Sequence, residues 1–527
     1  MSDFSNAYLI PDGTRLQDIK ERVQGRSRFS EEPPHTLTKT FYDDFQWSLY
    51  LTGASVEERQ NGRRRMLVWQ DLSGEGPEIE QPIGAAPGFA RDLPRGPLRE
   101  RLGPAIGVRR LLPLVTVHTQ VQTLRLLNED EKTVARVVVE ENRFNDPDRD
   151  RQGPLSARLR LLPVRGYDQE LEDAALMLEG ELGLEPERTP LVLEALAAAG
   201  RRPGDYSSKL DYHLDPDERA DMATKEIQIG LLDTIEVNIP GTKSNLDPEF
   251  LHDLRVAIRR TRSALTQIKD VFAPEIVEGF KERFAWLQGI TGPVRDLDVY
   301  LLDFETYRDS LPQALRPHLD PLREYLLAHY DDEQKSMVRE LESARFSNLL
   351  RDWRAFLEAP VPQRSALPNA MRRTKDVADQ RIWKMYRRVI KEGRAITADS
   401  PSEELHELRK SAKKLRYLVE FFDSLYPKKE IRTLVKQFKV LLDNLGGFQD
   451  LAVQAEHLRE MAVRMREEKR APTDTLLTMG VLVGDLLDRQ QQARAHFAEI
   501  FTAFDSEENH RLFKHLFAPA KKGGKGA

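Results

Sequence analysis

The C-terminal half of the sequence contains one pattern twice. The segment LHDLRVAIRRTR begins at Leu251, and the similar segment LHELRKSAKKLR begins at Leu405, 154 positions later. A second pair of segments, LQGITGPVRDLDV at Leu287 and LLDNLGGFQDLAV at Leu441, has the same offset. Two separated blocks with one offset indicate a duplicated structural unit. Because the region has helical periodicity, the sequence predicts two bundles of antiparallel helices related by approximate two-fold symmetry.

The region before the repeat has a different pattern. From about Thr36 to Asp168, segments rich in β-branched residues alternate partly between apolar and polar positions, which is typical of β-strands. The stretch from Ser73 to Pro97 is predicted to be loop, because clustered Gly and Pro neither continue a helix nor fill a central strand. The stretch from Gly200 to Asp217 is predicted to be the domain junction, and from about Asp221 onward nearly everything is predicted to be helix.

These patterns predict an α+β multidomain chain. Residues 1–205 form an N-terminal domain with an antiparallel, β-barrel-like sheet, and residues 221–517 form an all-α domain of two duplicated antiparallel helical bundles. The first repeat covers about 221–358 and the second about 374–517. Residues 518–527 are predicted to be a flexible basic tail.

Composition limits the class of protein. The chain has 527 residues and 40% hydrophobic content, enough for more than one core. Its 80 basic and 86 acidic residues nearly cancel, so any site for a polyanion is expected to be local. The absence of cysteine excludes disulfides and thiolate sites and favours a reducing, cytoplasmic location. The start resembles no signal peptide and no segment is long and apolar enough for a membrane span, so we expect a soluble protein without a membrane partner.

Cations of the repeated segment share one face of a predicted helix. At about 100° per residue they fall within a stripe of about 80°, formed by His252, Arg255, Arg259 and Arg262. The second copy repeats this stripe with His406, Arg409, Lys413 and Arg416. Arg260 flanks the first stripe, and Lys410 and Lys414 flank the second. An apolar stripe is expected to anchor each helix in its bundle, through Leu251, Leu254, Ile258 and Leu265 in one copy and Leu405, Leu408, Ala412 and Val419 in the other.

The spacing of the cations favours an anionic ligand over a merely solvated face. Like charges four residues apart destabilise a helix by about 0.2 to 0.5 kcal/mol, and both copies contain them, as Arg255 with Arg259 and Arg409 with Lys413. A phosphate ligand would convert this repulsion into charge-assisted hydrogen bonds. Nucleic-acid readers usually add aromatic platforms or side chains for base edges, and neither stripe carries an aromatic residue. Two purely cationic stripes fit a polymer of phosphate alone, such as inorganic polyphosphate.

The repeated segments resemble the CHAD domain, a histidine-containing duplicated α-helical domain. LDPEFLHDLRVAIRRTRSAL, ELHELRKSAKKLRYLVEFF and the RDLDV and QDLAV blocks carry the resemblance, which spans about Asp221 to Phe517. It implies binding of long-chain inorganic polyphosphate along a basic channel between the two bundles, and association with polyphosphate granules. The contacts that it implies are His252, Arg255, Arg259, Arg260, Arg262, Arg295, His406, Arg409, Lys413, Lys414 and Arg416. The counterpart of Arg295 is Gln449. For Asp296 and Asp450 we expect a helix cap or an arginine-orienting salt bridge.

The N-terminal half resembles the CYTH domain that often precedes CHAD in one chain. TKTFYDDFQWSLYLTGASVEERQNGRRR and KTVARVVVEE carry this resemblance. Active CYTH triphosphatases are similar in using a closed tunnel of antiparallel strands, carboxylates that hold a divalent metal, and basic residues that grip a triphosphate. Their E-x-E-x-K strand at the start of the domain is missing here. The N-terminal segment AYLIPDGTRLQDIKERV contains no alternating glutamates before a lysine.

No other segment supplies that metal site in the sequence. EIEQP at Glu78 and Glu80 has Pro82 in place of the lysine and is predicted to be an exposed loop. Glu140 and Glu141 are adjacent, so in a strand they point to opposite faces. We therefore predict a degenerate CYTH-like domain, in which cations such as Arg63, Arg64, Arg125 and Arg136 remain as open candidates for phosphate.

The sequence thus favours a cytoplasmic polyphosphate-binding protein, associated with granules, over an enzyme. No catalytic residue, metal ligand or cofactor is predicted, and nucleic acid is not an expected partner. Two alternatives stay open. One is a triphosphatase or polyphosphatase that uses Mg or Mn in the CYTH-like domain, with CHAD as its substrate-binding module. The other is an RNA-binding or scaffold protein that uses the same helices.

Overall fold

The computed structural model describes residues 7–518 except 12, 15, 25–27, 74–76, 183, 209 and 211. The chain divides into two units, Met1–Ser208 and Lys209–Ala527. The division falls inside the predicted junction, while the exact predicted domain and repeat boundaries stay predictions. The predicted flexible tail lies, apart from its first residue, outside the described residues.

The first unit is built on an antiparallel sheet. Its strands are β1 Ala7–Leu9, β2 Arg28–Glu31, β3 His35–Asp43, β4 Ala54–Asn61, β5 Arg64–Asp71, β6 Ile79–Pro82, β7 Leu112–Leu127, β8 Thr133–Asp146, β9 Arg151–Pro154, β10 Arg158–Pro163 and β11 Glu185–Pro186. Its helices are α1 Leu16–Gln24, α2 Ser48–Leu51, α3 Pro97–Ile106, α4 Asp168–Leu182 and α5 Leu191–Ala198.

The strands form one sheet in the order β11-β1-β10-β8-β7-β3-β4-β5-β6, with β2 also on β7 and β9 also on β8. Each pairing is antiparallel, which confirms the predicted sheet. Among the described strands, the outer strands β11 and β6 do not pair with each other, so the sheet is open and "barrel-like" describes it only loosely.

The expectation of loop throughout Ser73–Pro97 was wrong in part. Strand β6 pairs with β5 inside this stretch, with Glu80 opposite Val68. The strand is short and ends at a proline, and an edge position tolerates proline because its missing N–H need not join a ladder. Strand β4 lies between the Gly53 and Gly62 turns, inside the region predicted to be rich in strands.

Helices cover parts of the sheet and supply its apolar cores. Leu171, Ala175 and Leu178 of α4 join Leu159 and other residues of the central strands in one cluster. A second cluster places α2 and α3 with residues of β4 and β5, and a third places α5 with residues of β3, β7 and β8. The remaining sheet surface is available for the polar interior described below.

The second unit is helical, as predicted from about Asp221. Its helices are α6 Ala220–Lys243, α7 Pro248–Gln267, α8 Pro274–Ile290, α9 Gly292–Ser310, α10 Asp320–Leu341, α11 Ala344–Glu358, α12 Thr374–Ala395, α13 Ser402–Phe421, α14 Lys428–Glu467, α15 Thr473–Phe504 and α16 Glu507–Phe517. Among the described residues, the structure contains no helix that combines the length and the apolar character needed to span a bilayer.

Two apolar cores fill the helical unit. The larger one contains Leu254 of α7 and Leu408 of α13, together with residues of α6, α8, α11, α12 and α16. The smaller one joins α9 and α10 to the C-terminal half of α14 and the N-terminal half of α15. Both α14 and α15 therefore contribute to both cores.

The duplication is visible in the helices with one difference. Phe284 of α8 and Phe438 of α14, 154 positions apart, are both fully buried. In the first copy, α8 ends at Ile290 and α9 begins at Gly292. In the second copy, the corresponding residues lie within the continuous helix α14. This break changes how the two copies hold their arginines.

Candidate functional site: a paired basic face

Helix α7 presents the first basic stripe. Asp247 caps the helix by accepting a hydrogen bond from the Glu249 backbone N–H at 2.9 Å, and Pro248 occupies its first position. The predicted apolar stripe is confirmed, because Leu254 and Ile258 are fully buried in the larger core. Burial of that stripe leaves the arginines on the neighbouring face half-buried.

Helix α13 presents the second stripe in the same way. Leu405, Leu408, Ala412 and Val419 are buried in the larger core, as predicted. The basic residues beside them are half-buried, whereas the flanking Lys410 is exposed. Acidic residues occupy the first turn of α13, where they interact favourably with the N-terminal end of the helix dipole.

The two stripes lie next to each other, because α7 packs against α13. An ion pair joins the two helices: Arg260 donates to Glu420 at 2.9 Å. The charge of Arg259 on α7 also acts on Lys413 of α13. The structure thus brings together residues that the sequence predicted separately in each copy. We call His252, Arg255, Arg259 and Arg262 with His406, Arg409, Lys413 and Arg416 the paired basic face.

Arg255 is held by neutral acceptors at the break between α8 and α9. It donates to the carbonyl oxygen of Gln288 at 2.8 Å and to the hydroxyl of Thr291 at 2.9 Å. Gln288 lies in the last turn of α8, where carbonyl groups lack partners inside their helix. Gly292 lies beside Arg255, since a Cβ placed there would be 3.7 Å from a terminal guanidinium nitrogen. The contacts fix the side chain without neutralising its charge.

Arg409, the counterpart of Arg255, is held by a carboxylate instead. It donates to Asp450 of α14 at 2.9 Å and 3.2 Å. Gly446 lies beside Arg409 as Gly292 lies beside Arg255, with a corresponding distance of 3.8 Å. Asp450 lies inside α14, so of its two expected roles the salt bridge is correct and the helix cap is not. Asp296 likewise lies within α9.

Burial and crowding of like charges lower two pKa values in the paired basic face. For Lys413, burial and the charges of Arg409 and Arg259 lower the pKa to about 8. For Arg255, burial and the charge of Arg259 lower the pKa to about 10. Each shift means that the surrounding protein destabilises the charged form of the side chain. A bound anion would stabilise that charged form and raise the pKa again.

Several cations of the site have no counter-ion. The side chains of Arg259, Arg262, Lys413 and Lys414 make no ion pair or hydrogen bond with any other described residue. The Nε atoms of Arg259 and Arg262 are also buried and without an acceptor among the described residues. Buried polar groups normally have hydrogen-bond partners. These donors are therefore available to a ligand that brings acceptor oxygens.

Two predicted contacts are already partly neutralised. Glu420 accepts from Arg260 at 2.9 Å and from Arg416 at 2.6 Å, and it lies in α13 one turn after Arg416. The sequence prediction missed Glu420, although its position four residues after Arg416 is a visible signal for such a pair. The Arg260–Glu420 pair therefore links the two copies, whereas the Arg416–Glu420 pair lies within α13.

The two histidines differ in their surroundings. His252 lies close to Glu249 and Asp253, and one ligand atom from each of the three lies within 4.8 Å of the others. This is the group among the described residues that could hold a metal ion. Arg295 lies at its edge, 4.0 Å from Glu249, and donates to the Pro248 carbonyl at 3.3 Å. His406 has a buried Nδ1 atom without a hydrogen-bond partner among the described residues.

The first unit contains a buried ion network that the sequence prediction did not identify. Lys39 of β3 donates to both Glu140 oxygens, at 3.2 Å and 3.3 Å, and Arg160 of β10 also pairs with Glu140. Lys39 is 3% exposed and Glu140 is 2% exposed. Burial alone would raise the pKa of Glu140, but Lys39 and Arg160 outweigh it and lower that pKa to about 2. The adjacent Glu141 is exposed, as the opposite-face prediction required.

A second part of the network lies nearby on β4. Arg59 pairs with Glu57, with Glu78 at 2.8 Å and with Glu80 at 3.3 Å. Register places Arg59 directly opposite Lys39, so both side chains belong to one face of the sheet. Glu78 and Glu80 are exposed, as predicted, and their carboxylates also pair with Arg59. Charged residues at alternate positions of a strand, such as Arg158 and Arg160, point to one face of the sheet and were the sequence signal for this polar face.

The network does not fit a divalent metal. Mg²⁺ and Mn²⁺ prefer oxygen ligands that are free to coordinate, whereas Glu57, Glu78 and Glu140 are each bound to a cation. The described residues of the first unit contain no group of three carboxylate or histidine ligand atoms within 4.8 Å of one another. The observed role of these charges is to satisfy one another inside the sheet.

The four cations left open by the sequence lie elsewhere. Arg63 and Arg64 are exposed at the turn between β4 and β5. Arg125 and Arg136 lie opposite each other in β7 and β8, and Arg125 is 3.9 Å from Glu32. Their assignment to phosphate stays a prediction.

Comparisons with known proteins agree with this architecture. Residues 228–459 match the CHAD domain family. An uncharacterized protein of Mycobacterium tuberculosis strain H37Rv is 27% identical over 255 residues, which are 47% of this chain and 46% of that protein. The chain thus covers about half the length of this curated relative.

Solved structures resemble each unit. The CHAD domain from the plant Ricinus communis is 24% identical, with a TM-score of 0.46 over 56% of this chain and 95% of that chain. A putative adenylyl cyclase from Hippeastrum, described as having a dominant triphosphatase activity, is 13% identical, with a TM-score of 0.26 over 39% of this chain and 99% of that chain. The family match therefore assigns a CHAD domain to residues 228–459 of this chain.

Proposed function

We propose that the CHAD domain of this chain binds long-chain inorganic polyphosphate on the paired basic face. The observation that carries the proposal is the approach of Arg259 and Lys413 from the two copies. Neither forms an ion pair or hydrogen bond with another described residue, and their proximity contributes to the lowered pKa of Lys413, although the charge of Asp450 opposes that shift. A folded protein without a ligand gains nothing from this repulsion, whereas a bound polyanion removes it.

The chemistry of the face supports phosphate. Arginine presents several N–H donors in a fixed fork that matches phosphate oxygens, and each charge-assisted hydrogen bond contributes about 1.5 to 3 kcal/mol. Arg255 is fixed by neutral acceptors, so its charge remains available to a ligand. Arg259 and Arg262 add buried donors without acceptors among the described residues.

The absence of base-reading groups supports polyphosphate over nucleic acid. Tyr417, next to Arg416 in sequence, packs against the larger core and stacks with Phe421 at 6.4 Å between ring centroids. It is therefore engaged in the core rather than offered as a platform for a base. The CHAD family match also supports a polyphosphate-related function. Competition between RNA and polyphosphate for one site, with RNA the stronger ligand, would overturn this choice.

Filter binding of labelled polyphosphate across a salt series tests the proposal with the full chain. Wild type should bind, and its affinity should fall as salt rises because neutralised phosphates release condensed counterions. Replacing Arg255, Arg259, Arg409 and Lys413 by alanine should abolish binding. A matched control replaces four exposed cations of α12 by alanine, namely Lys384, Arg387, Arg388 and Lys391.

A milder variant protects the test from misfolding. Arg259→Gln with Lys413→Gln removes two charges that form no ion pair or hydrogen bond with another described residue, and removing their mutual repulsion should leave the fold intact. Wild-type affinity in this variant, with the fold confirmed by circular dichroism, would overturn the site assignment. An equal loss in the α12 control would show that net charge, rather than the paired basic face, determines binding.

Cellular location is part of the same proposal. We place the protein in the cytoplasm, on polyphosphate granules when these are present. A fluorescent fusion should colocalise with a polyphosphate stain, and the Arg259→Gln, Lys413→Gln variant should be diffuse. Colocalisation that is unchanged in the variant would separate granule association from this site.

A further inference from the structure

We propose that the site extends along α14 and that this extension makes binding depend on chain length. The extension, which we call the α14 track, consists of Arg432, Lys436 and Lys439. It rests on the proposed function, because its ligand is the part of a polyphosphate chain that leaves the paired basic face. It adds the direction in which the bound chain leaves the paired basic face, which is from Asp450 toward the start of α14.

The α14 track is an exposed row of cations. All three side chains are exposed, and none makes an ion pair or hydrogen bond with another described residue. Arg432 and Lys436 stand one turn apart, where like charges repel. Lys428 and Lys429 add two further cations at the start of the helix. An isolated row of this kind is usually a solvated surface, so its position decides whether it has a role.

Its position on α14 is set by helical geometry. At about 100° per residue, Arg432, Lys436 and Lys439 fall within about 40° of Asp450 around the helix axis. Asp450 binds Arg409 of the paired basic face at 2.9 Å. At a rise of about 1.5 Å per residue, Lys439 lies about 16 Å from Asp450 and Arg432 about 27 Å. The track therefore begins at the edge of the site and leads away from it along one face.

One carboxylate interrupts the track. Asp443 is exposed and lies on the same face, between Lys439 and Asp450. Its single negative charge is outweighed by the three cations of the track. Lys439 lies about three turns of α14 from Asp450, with Asp443 between them, so a short chain would contact only the paired basic face.

The first copy has no equivalent. The positions that correspond to Arg432, Lys436 and Lys439 at the offset of 154 are Glu278, Glu282 and Ala285 on α8. Two of the three cations are thus replaced by acids. A polyanion leaving the site on this side would be repelled, so the chain can continue over the second copy only.

The test compares two lengths of polyphosphate on the full-length protein. One is a short chain that spans only the paired basic face, and the other is a long chain. Wild type should bind the long chain more tightly. Arg432→Gln with Lys436→Gln and Lys439→Gln should lose about tenfold in affinity for the long chain, with its salt dependence reduced by about two phosphate contacts. The same variant should bind the short chain like wild type.

The matched control replaces Lys384, Arg387 and Lys391 of α12 by glutamine. These cations are equally exposed, but their helix carries no residue of the paired basic face. An equal loss in the control, or a track variant that keeps the preference for long chains, would overturn the inference while leaving the proposed function intact. Failure of wild type to bind either chain would instead overturn the proposed function.

Discussion

The two copies of the basic stripe occupy equivalent positions but hold their leading arginine differently. Arg255 donates to a carbonyl and a hydroxyl at the end of α8, whereas Arg409 donates to the carboxylate of Asp450. The difference arises because a helix break offers neutral acceptors, and a continuous helix does not. The charge of Asp296, the counterpart of Asp450, also acts on Arg255, but the groups that Arg255 contacts directly are neutral, whereas Arg409 is paired directly with a carboxylate. The two copies therefore share the positions of their cations but differ in the groups that hold the leading arginine.

The largest expected effect comes from removing one copy at a time. Arg255→Ala with Arg259→Ala, and separately Arg409→Ala with Lys413→Ala, should each lower polyphosphate affinity about 100-fold, since each removes two charge-assisted contacts. Filter binding measures this. If one of the two variants binds like wild type, the ligand uses a single copy and the comparison between the copies loses its functional meaning.

A smaller effect should follow from removing the carboxylate shared by the copies. Glu420→Gln removes the carboxylate that pairs with both Arg260 and Arg416, so affinity should rise about tenfold while unfolding becomes easier by about 1 to 2 kcal/mol. Ligand titration and denaturant unfolding measure the two quantities. Glu392→Gln is the control, because Glu392 pairs with Arg388 on α12, which carries no residue of the paired basic face. A decrease in affinity would mean that Glu420 orients the arginines rather than competing for them.

The lowered pKa of Lys413 predicts a pH dependence. The group is charged below its pKa of about 8 and neutral above it. Bound phosphate favours the charged form, so binding should take up a proton and weaken about fivefold between about pH 7 and 9. Lys413→Arg should abolish the dependence, because a guanidinium stays protonated over this range. Isothermal titration calorimetry in buffers of different ionisation enthalpy would detect the proton uptake, and a flat profile in wild type would contradict it.

The smallest effect tests the second copy directly. Asp450→Asn removes the charge that pairs with Arg409, and affinity should rise about threefold because Asp450 is itself exposed. Thr291→Val in the first copy removes a neutral acceptor of Arg255 and should not raise affinity. Equal gains from both changes would show that the nature of the acceptor does not matter.

The repeat made much of the helical unit predictable from sequence. A shared offset fixed which residues are equivalent, and 3.6-residue periodicity fixed which side of each helix is buried, so Leu254 and Leu408 were correctly placed in the core. Periodicity says nothing about where a helix breaks. The end of α8 at Ile290 and the continuity of α14 depend on packing that the pattern does not encode.

The sheet unit was harder to predict, for a physical reason. Its central strands are long and rich in β-branched residues, so β7 and β8 were evident. The polar face was not, because a strand pattern fixes which side a charge points to but not its partner on another strand. Lys39 and Glu140 are 101 residues apart in sequence. Only the register across β3, β7 and β8 brings them together.

The continuity of α14 has a consequence for dividing the protein. This helix spans about 60 Å, with Phe438 in the larger core and Met461 in the smaller one. α15 follows the same course, with Phe501 in the larger core and Leu482 in the smaller one. A protein truncated between the sequence repeats would lack α14 and α15 in both cores. The apolar surface that these helices cover would be exposed and would favour aggregation. The boundaries of the sequence repeats are therefore not the boundaries of independently folding units, and neither repeat is expected to be stable when expressed alone.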